Sequence, residues 1–216
     1  MANQMLCGVI LDFGGVFTRV GPREAVLRRC EAQLHLLPGA LTDLLFGSEH
    51  WYALSTGRIG ADEYWQQVCS ALGGRVPPAL TPFQYNAFAY EELNRRMVAV
   101  GRQLHRRYRM ALLSNATLCL EALLAELGLT DLFDVVINSA RVGLRKPDPQ
   151  IYRITAARLG LEPVECLFVD DKERNTESAR RLGMQSITFR SAAHLARQLQ
   201  VLLGPSSPAC TPGHAL

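Results

Sequence analysis

The fold is decided at residues 7–12, Cys7-Gly8-Val9-Ile10-Leu11-Asp12, a short apolar run that ends in a carboxylate. Two later runs have the same form. One is Met110-Ala111-Leu112-Leu113, which precedes Ser114-Asn115, and the other is Glu165-Cys166-Leu167-Phe168-Val169, which precedes Asp170-Asp171. Apolar runs of this length, separated by helical patterns, are typical of strands buried on both faces of a parallel sheet. Ligands of such sheets bind beyond the carboxyl ends of the strands, so we expect these polar residues to share one site.

Length and composition indicate a globular chain with one sizeable core, or a core plus a small accessory domain. The chain has 216 residues, of which 48% are hydrophobic and 20% are charged. Its net charge of +3 is too small to indicate a polyanionic partner, because domains that bind nucleic acid carry clustered Lys and Arg. We interpret the arginines between Arg95 and Arg109 as the solvated side of a helix, and we expect no nucleic-acid partner.

Cysteine usage and hydropathy indicate a cytoplasmic protein without a membrane partner. The six cysteines form no C-x-x-C pair, and several lie inside apolar runs, which favours buried reduced thiols over disulfides or zinc ligands. No apolar stretch has the length of a membrane span, and the N-terminus runs directly into a strand. The tail, residues 204–216, cannot bury enough apolar surface to order itself. The sequence leaves a monomer and a homodimer open.

The interval between Asp12 and Met110 is too long for a simple crossover, and its pattern is helical. Pro and Gly clusters punctuate it, which favours a small all-helical insertion over the strand ends. We therefore divide the chain into an α/β core domain (residues 1–15 and 89–203), a helical cap domain (16–88) and a disordered tail (204–216). The predicted helices of the interval are Arg23–Leu36, Leu41–Phe46, Ala61–Leu72 and Phe83–Arg107.

Strand and helix patterns alternate from Met110 onward, as in repeated βαβ units. The predicted fold class is therefore α/β, a Rossmann-like doubly wound parallel sheet with an all-helical insertion after the first strand. The predicted strands are Met110–Leu113, Val135–Asn138, Cys166–Val169 and Ser186–Phe189. The predicted helices are Leu118–Leu127, Gln150–Leu159, Asn175–Leu182 and Ala192–Leu203.

Four aromatic residues of the insertion, Trp51, Tyr52, Tyr64 and Trp65, allow two interpretations. They could form a wall on which a substrate stacks. At helical spacing such residues are more often plain core, and we favour that interpretation.

Each of these polar residues, and Lys146 as well, could have a structural role instead of a chemical one. Asp12 precedes Gly14-Gly15 and can act as a covalent nucleophile, yet an Asp there can also be a turn or cap residue. Ser114-Asn115 can bind a phosphoryl oxygen or simply cap the helix predicted near Leu118. Lys146 lies in a Pro-flanked turn, where it can be held against a phosphate and a carboxylate or remain solvated.

The adjacent carboxylates Asp170 and Asp171 indicate a cation site. Neighbouring like charges cost free energy unless a cation neutralises them. Oxygen ligands that include Asp12 suit Mg²⁺, which prefers a few carboxylates together with water and phosphate oxygens.

Taken in order, these segments resemble the haloacid dehalogenase superfamily over about residues 6–190. The combination of motifs is highly specific, whereas the first motif alone is only moderately so. The insertion resembles that superfamily's cap of the first type, which screens substrates and excludes water. The four matching segments are Leu11–Thr18, Leu112–Ala116, Gly143–Tyr152 and Phe168–Asn175, the last with Ala179 and Gly183.

The resemblance implies a role for each polar residue and Mg²⁺ as the cofactor. Asp12 would be the catalytic nucleophile. The remaining implied roles are phosphate binding by Ser114 and Asn115, phosphate neutralisation and catalysis by Lys146, and metal binding by Asp12, the Gly14 carbonyl, Asp170 and Asp171.

One position departs from the phosphatases of the superfamily. They place a second Asp two positions after the nucleophile as general acid and base, and here that position is Gly14. The loss of proton transfer to the leaving group costs typically 10²–10⁴ in rate. The candidate replacement donors are water, Thr18, Glu49, His50 and Glu63.

Three functions are compatible with this pattern. The favoured one is a Mg²⁺-dependent phosphatase that acts on a small phosphorylated metabolite through an aspartyl-phosphate at Asp12. A carbon–halogen hydrolase would not need the acid missing at Gly14, but the Asp170-Asp171 charges would then go uncompensated. A weakly active or non-catalytic binding protein is the third, although the retention of Asp12 and Lys146 argues against decay of the site.

Overall fold

A computed structural model describes residues 5–203 of the chain, so the predicted disorder of residues 204–216 lies outside the described residues. The strands are β1 (Gly8–Leu11), β2 (Thr18–Arg19), β3 (Glu92–Leu93), β4 (Arg109–Ser114), β5 (Val135–Asn138), β6 (Cys166–Asp170) and β7 (Gln185–Thr188). The α-helices are α1 (Gly21–Leu34), α2 (Ala40–Thr42), α3 (Glu49–Ser55), α4 (Ala61–Ala71), α5 (Arg95–His105), α6 (Leu120–Glu126), α7 (Ser139–Val142), α8 (Pro149–Arg158), α9 (Glu173–Arg181) and α10 (Ala192–Leu203). A π-helical turn covers Asp43–Gly47, and 3₁₀ turns cover Pro78–Gln84, Thr130–Leu132 and Pro163–Glu165.

A five-stranded parallel sheet in the order β5-β4-β1-β6-β7 forms the centre of the molecule, which confirms the predicted fold class. Alternate residues of β1 pack on opposite faces. Val9 and Leu11 belong to one apolar cluster and Ile10 to another, and all three are fully buried. Burial on both faces explains why the strand is a continuous apolar run. Leu11 lies opposite Leu112 of β4 and Val169 of β6, so all three polar strand ends meet at one edge.

The helical insertion, residues 21–84, packs around its own apolar cluster. Trp51 and Tyr64 are 6% and 1% exposed and belong to this cluster, as the core interpretation predicts. Trp65 is partly buried against it. Tyr52 is 43% exposed, so the core interpretation is wrong for that residue. The domain boundaries at residues 16 and 88 stay a prediction.

The predicted helix Phe83–Arg107 is wrong, because side-chain hydrogen bonds break the helical ladder in its first half. A 3₁₀ turn ends at Gln84, and the Asn86 side chain then accepts a hydrogen bond from Phe88 N at 2.8 Å. Tyr90 adopts a positive φ of 64°, and β3 follows in place of a further helical turn. Only α5 remains helical, and it begins after Asn94.

The helical insertion contacts helix α7, which follows β5, at Gly57. This glycine has a φ of 69°, and a Cβ atom there would lie 2.2 Å from the backbone oxygen of Ala140. Near Gly57, the Nη1 atom of Arg145 donates a hydrogen bond to Ser55 Oγ at 3.1 Å. A residue without a side chain therefore lets the two parts approach closely at this point.

No helix within residues 5–203 combines the length and the apolar character that a membrane crossing requires. Cys30 and Cys166, which lie inside apolar clusters, are buried thiols, as expected.

Asn94 should stabilise the start of α5. Its Oδ1 accepts from Met97 N at 3.4 Å and its Nδ2 donates to Val16 O at 3.3 Å. Because an N-cap side chain satisfies an otherwise unpaired helix N–H, we expect Asn94→Ala to lower the free energy of unfolding by about 1 kcal/mol in urea titrations. Asn94→Asp keeps the acceptor and should lose less. Equal stabilities of the two variants would contradict this role of the cap.

Candidate active site

Asp12 follows the central strand β1 and is 7% exposed. Its Oδ1 accepts from Lys146 Nζ at 2.7 Å and from Phe13 N at 2.7 Å, whereas Oδ2 has no donor among the described residues. Burial, together with the charges of Asp170 and Asp171, raises the pKa of Asp12 above its usual range despite the opposing effect of Lys146. The buried contact with Lys146 distinguishes Asp12 from an ordinary turn residue.

Lys146 is a buried ammonium whose three N–H groups are all used. Nζ lies 2.7 Å from Asp12 Oδ1, 2.7 Å from Asp170 Oδ2 and 2.8 Å from Leu113 O. Burial lowers the pKa of Lys146, but Asp12 and Asp170 outweigh that effect and leave it above its ordinary value. With a side-chain exposure of 1%, Lys146 is not the solvated loop lysine of the alternative interpretation.

Asn115 fastens the segment that carries Lys146. Its Oδ1 accepts from Lys146 N at 2.8 Å, and its Nδ2 donates to Lys146 O at 3.0 Å. The helix-capping alternative is wrong, because Cys119 occupies the N-cap position of α6. Ser114 at the end of β4 is 1% exposed and lines the cavity described below.

The two late aspartates have different surroundings. Asp170 accepts from Lys146 at one oxygen, and at the other from Lys172 N at 2.8 Å and Asn175 Nδ2 at 2.9 Å. Burial raises the pKa of Asp170, but Lys146 outweighs it and holds the pKa below the usual value. Asp171 Oδ1 is buried without a hydrogen-bond partner, and burial raises the pKa of Asp171.

This arrangement fits a divalent cation. Carboxylate oxygens of Asp12, Asp170 and Asp171 all lie within 4.8 Å of one another, and the orphaned Asp171 Oδ1 lacks any compensating donor. Gly15 has a φ of 77°, and a Cβ atom there would lie 2.6 Å from Asp171 Oδ2. The donor set consists of hard oxygens, which suits Mg²⁺ better than a thiophilic metal.

A cavity of about 280 Å³, called the inner cavity, opens between the sheet edge and the helical insertion. A Cβ atom at Gly14 would lie 3.2 Å from the Phe88 ring, so an aromatic side chain crowds the place of the missing acid. Asp170 is fully buried and does not line the cavity. The predicted site residues that line it are Asp12, Gly14, Ser114, Asn115, Lys146 and Asp171.

Glu91 is a residue of the inner cavity that the sequence interpretation missed. Its side chain is 1% exposed, pairs with Arg23 and accepts from Thr18 Oγ1. Thr18 Oγ1 in turn accepts from Gly15 N at 3.1 Å, so Glu91 braces the loop after Asp12. Burial raises the pKa of Glu91. The sequence offers no signal for it, because Glu91 lies within the predicted helix Phe83–Arg107.

The four side chains considered as replacement proton donors are scattered. Thr18 donates to Glu91, so its proton is already engaged. Glu49 and His50 line an outer cavity, which adjoins the inner cavity but does not include Asp12 in its wall. Glu63 is exposed and lines none of the described cavities.

Comparison with known proteins gives one family. A model of haloacid dehalogenase-like hydrolases matches residues 8–183. The chain is 29% identical to bifunctional epoxide hydrolase 2 of Rattus norvegicus over 157 residues, which cover 68% of this chain and 28% of that protein. It is 36% identical to phosphatase MT3486 of Mycobacterium tuberculosis over 126 residues, which cover 53% of this chain and 54% of that protein. The chain thus spans less than two thirds of the length of these curated relatives.

A solved structure has the same fold. The wild-type HAD family enzyme bt-2542 of Bacteroides thetaiotaomicron, in complex with magnesium and inorganic phosphate, matches with a TM-score of 0.68 at 18% identity. The match covers 88% of this chain and 98% of that chain.

The raised pKa values of Asp12 and Asp171 predict that Mg²⁺ binding depends on pH. In the metal-free protein these carboxyls hold protons to a higher pH than usual, and ionising them costs stability as the pH rises. Mg²⁺ requires the ionised form, so it should raise the thermal midpoint more at about pH 8 than at about pH 6. Thermal melts with and without Mg²⁺ measure this. A shift that does not depend on pH, or an unchanged shift in Asp171→Asn, would contradict the site.

Proposed function

Because the chain belongs to the haloacid dehalogenase-like hydrolase family, we propose that it is a phosphatase that hydrolyses a small phosphorylated metabolite through an aspartyl-phosphate at Asp12. One observation carries the proposal. Lys146 holds one oxygen of the buried Asp12 carboxylate, and the other oxygen has no donor among residues 5–203. The 36% identity to a phosphatase supports this substrate class over a haloacid.

The reaction proceeds in two steps at phosphorus. Asp12 Oδ2 attacks the phosphorus atom, and the bond between phosphorus and the leaving oxygen breaks with its electron pair on that oxygen. Water then attacks the phosphorus of the aspartyl-phosphate, which releases inorganic phosphate and restores the Asp12 carboxylate. Lys146 fixes Oδ1 throughout, so that the same oxygen is always presented to the substrate.

Asp12, the Gly14 carbonyl and Asp171 would hold Mg²⁺ directly, and Asp170 would add its charge to the site. When bound, the cation neutralises the carboxylates and polarises a phosphoryl oxygen. Asp171 provides the oxygen without a partner, whereas both Asp170 oxygens already accept from protein donors. Asp170 therefore contributes mainly by orienting Lys146.

Ser114 and Asn115 would lie against the phosphate at the end of β4. The Ser114 hydroxyl belongs to the wall of the inner cavity and is the direct phosphate donor. Both polar atoms of the Asn115 side chain form hydrogen bonds with the backbone of Lys146. Asn115 therefore acts chiefly by positioning Lys146. We expect a small-molecule substrate and no membrane or nucleic-acid partner, and both a monomer and a homodimer are compatible with this site.

Gly14 leaves the departing oxygen without a protein acid, and water supplies its proton. Good leaving groups need this proton least, since they depart as stable anions. The enzyme is therefore selective for activated phosphates, and slow with alkyl phosphates.

Asp12 should be indispensable. We expect the protein with added Mg²⁺ to hydrolyse p-nitrophenyl phosphate, and the rate to fall to background in Asp12→Asn, because the amide cannot attack phosphorus. Release of p-nitrophenol measures this. Asp131→Asn is the matched control, because Asp131 is exposed in a 3₁₀ turn away from the site.

Two results would contradict the assignment: an unchanged rate in Asp12→Asn, or full activity in EDTA. A haloacid such as 2-chloropropionate serves as the alternative substrate. Halide release without phosphate ester hydrolysis would establish the carbon–halogen hydrolase instead.

Restoring the missing acid requires the Phe88 ring to yield or to be made smaller. An Asp at Gly14 would press on the Phe88 ring, so we expect Gly14→Asp combined with Phe88→Leu to accelerate glycerol 3-phosphate hydrolysis relative to p-nitrophenyl phosphate. The gain should be roughly 10²-fold, at the lower end of what a positioned proton donor contributes. Initial rates of phosphate release from both esters measure it.

Phe88→Leu alone is the control for the cavity that the smaller side chain creates. If the double variant accelerates both esters equally, proton delivery to the leaving group is not the deficit. If Phe88→Leu alone gives the same selectivity, the effect belongs to the cavity and not to the carboxyl group.

A further inference from the structure

A second, larger cavity adjoins the site. This outer cavity has a volume of about 870 Å³ and lies between α3 and the segment that follows α7. It shares four wall residues with the inner cavity, namely Phe46, Arg145, Lys146 and Arg174. A substrate whose phosphate lies against Asp12 can therefore extend into the outer cavity.

Three arginines line the outer cavity without an acidic partner. Within residues 5–203, no carboxylate lies within salt-bridge distance of Arg58, Arg145 or Arg174. Glu49 and Asp148 also line the wall, but Asp148 caps α8 by accepting from Gln150 N at 2.8 Å. Burial, and next the charge of Arg174, lowers the pKa of Arg145. The three arginines outnumber the carboxylates of Glu49 and Asp148, and none of the three is ion-paired, so the wall of the cavity is predominantly positive.

Tyr52 holds two of the guanidinium groups in place. The centre of its ring lies 5.1 Å from the Arg58 Cζ and 5.3 Å from the Arg145 Cζ. Arg145 also donates to Ser55 Oγ at 3.1 Å. These contacts fix the guanidinium groups without using an anion, so their remaining N–H groups are available to a ligand.

We propose that the substrate carries a second anionic group, a carboxylate or a phosphate, which binds in the outer cavity to Arg58, Arg145 and Arg174. This inference rests on the proposed phosphatase function, because the reacting phosphate occupies the inner cavity. A guanidinium group pairs with either anion through two parallel hydrogen bonds. Arg58 belongs to the helical insertion, whereas Arg145 precedes α8 and Arg174 lies in α9, both of which belong to the predicted α/β core. The second anion therefore also draws these two parts together.

Paired ligands test the proposal. Each ligand competes with p-nitrophenyl phosphate, and its inhibition constant is measured. One pair is glycerol 3-phosphate and 3-phosphoglycerate, which differ by a carboxylate. The other is fructose 1-phosphate and fructose 1,6-bisphosphate, which differ by a phosphate. We expect the ligand with the extra anion to bind about tenfold more tightly in at least one pair, and that pair identifies the preferred anion.

Arg58→Gln should reduce this preference to about twofold or less, since it removes one partner of the second anion. Arg75→Gln is the matched control. Arg75 is exposed on the same insertion and lines none of the described cavities, so the variant makes the same change in net charge. The preference should also weaken as salt is added, because Arg58 and Arg174 are exposed to solvent.

Equal inhibition constants within both pairs would overturn the inference, as would an equal loss of preference in Arg58→Gln and Arg75→Gln. The second result would mean that the general field of the protein, and not this cavity, attracts anions. If p-nitrophenyl phosphate is not hydrolysed at all, the proposed function fails instead. Calorimetric titration with the same pairs then decides the inference, and equal affinities within both pairs would overturn it.

Discussion

The site depends on one buried ammonium group. Lys146 Nζ joins the carboxylates of Asp12 and Asp170, which end two neighbouring strands, and also bonds the carbonyl of Leu113 in a third. Taking these charges out of water is costly, and only mutual pairing with complete hydrogen bonding offsets the cost. The three strand ends are therefore held in one fixed arrangement, and removal of Lys146 would leave two buried carboxylates without their cation.

The polar groups around Lys146 divide by whether their hydrogen bonds are complete. The polar side-chain atoms of Asp170 and Asn115 all form hydrogen bonds within the protein, so these two residues hold Lys146 in position. Asp171 Oδ1 is buried without a partner, and Asp12 Oδ2 has none among residues 5–203. Within the site, these two oxygens are therefore the carboxylate atoms left open to a ligand, and we assign the reactive part of the site to them.

Much of the sheet was predictable because its strands are buried on both faces. The predicted strand Val135–Asn138 is observed with those bounds, and the predicted helix Ala192–Leu203 likewise. Prediction failed over Phe83–Arg107, where Asn86 and Asn94 divert the backbone through side-chain hydrogen bonds that periodicity does not reveal. The failure hid Glu91, whose neighbours in space are Thr18 and Arg23 and lie far away in sequence.

The sequence by itself determined the α/β fold, the hydrolase family and the set of polar residues at the strand ends, because burial on two faces and motif spacing are properties of local order along the chain. Only the tertiary structure decided which of these residues position others and which are open to a ligand. Hydrogen-bond saturation, the crowding of Gly14 by Phe88 and the pairing of Tyr52 with Arg58 and Arg145 arise between segments that the fold brings together. Such contacts depend on three-dimensional distance, which the order of residues does not specify.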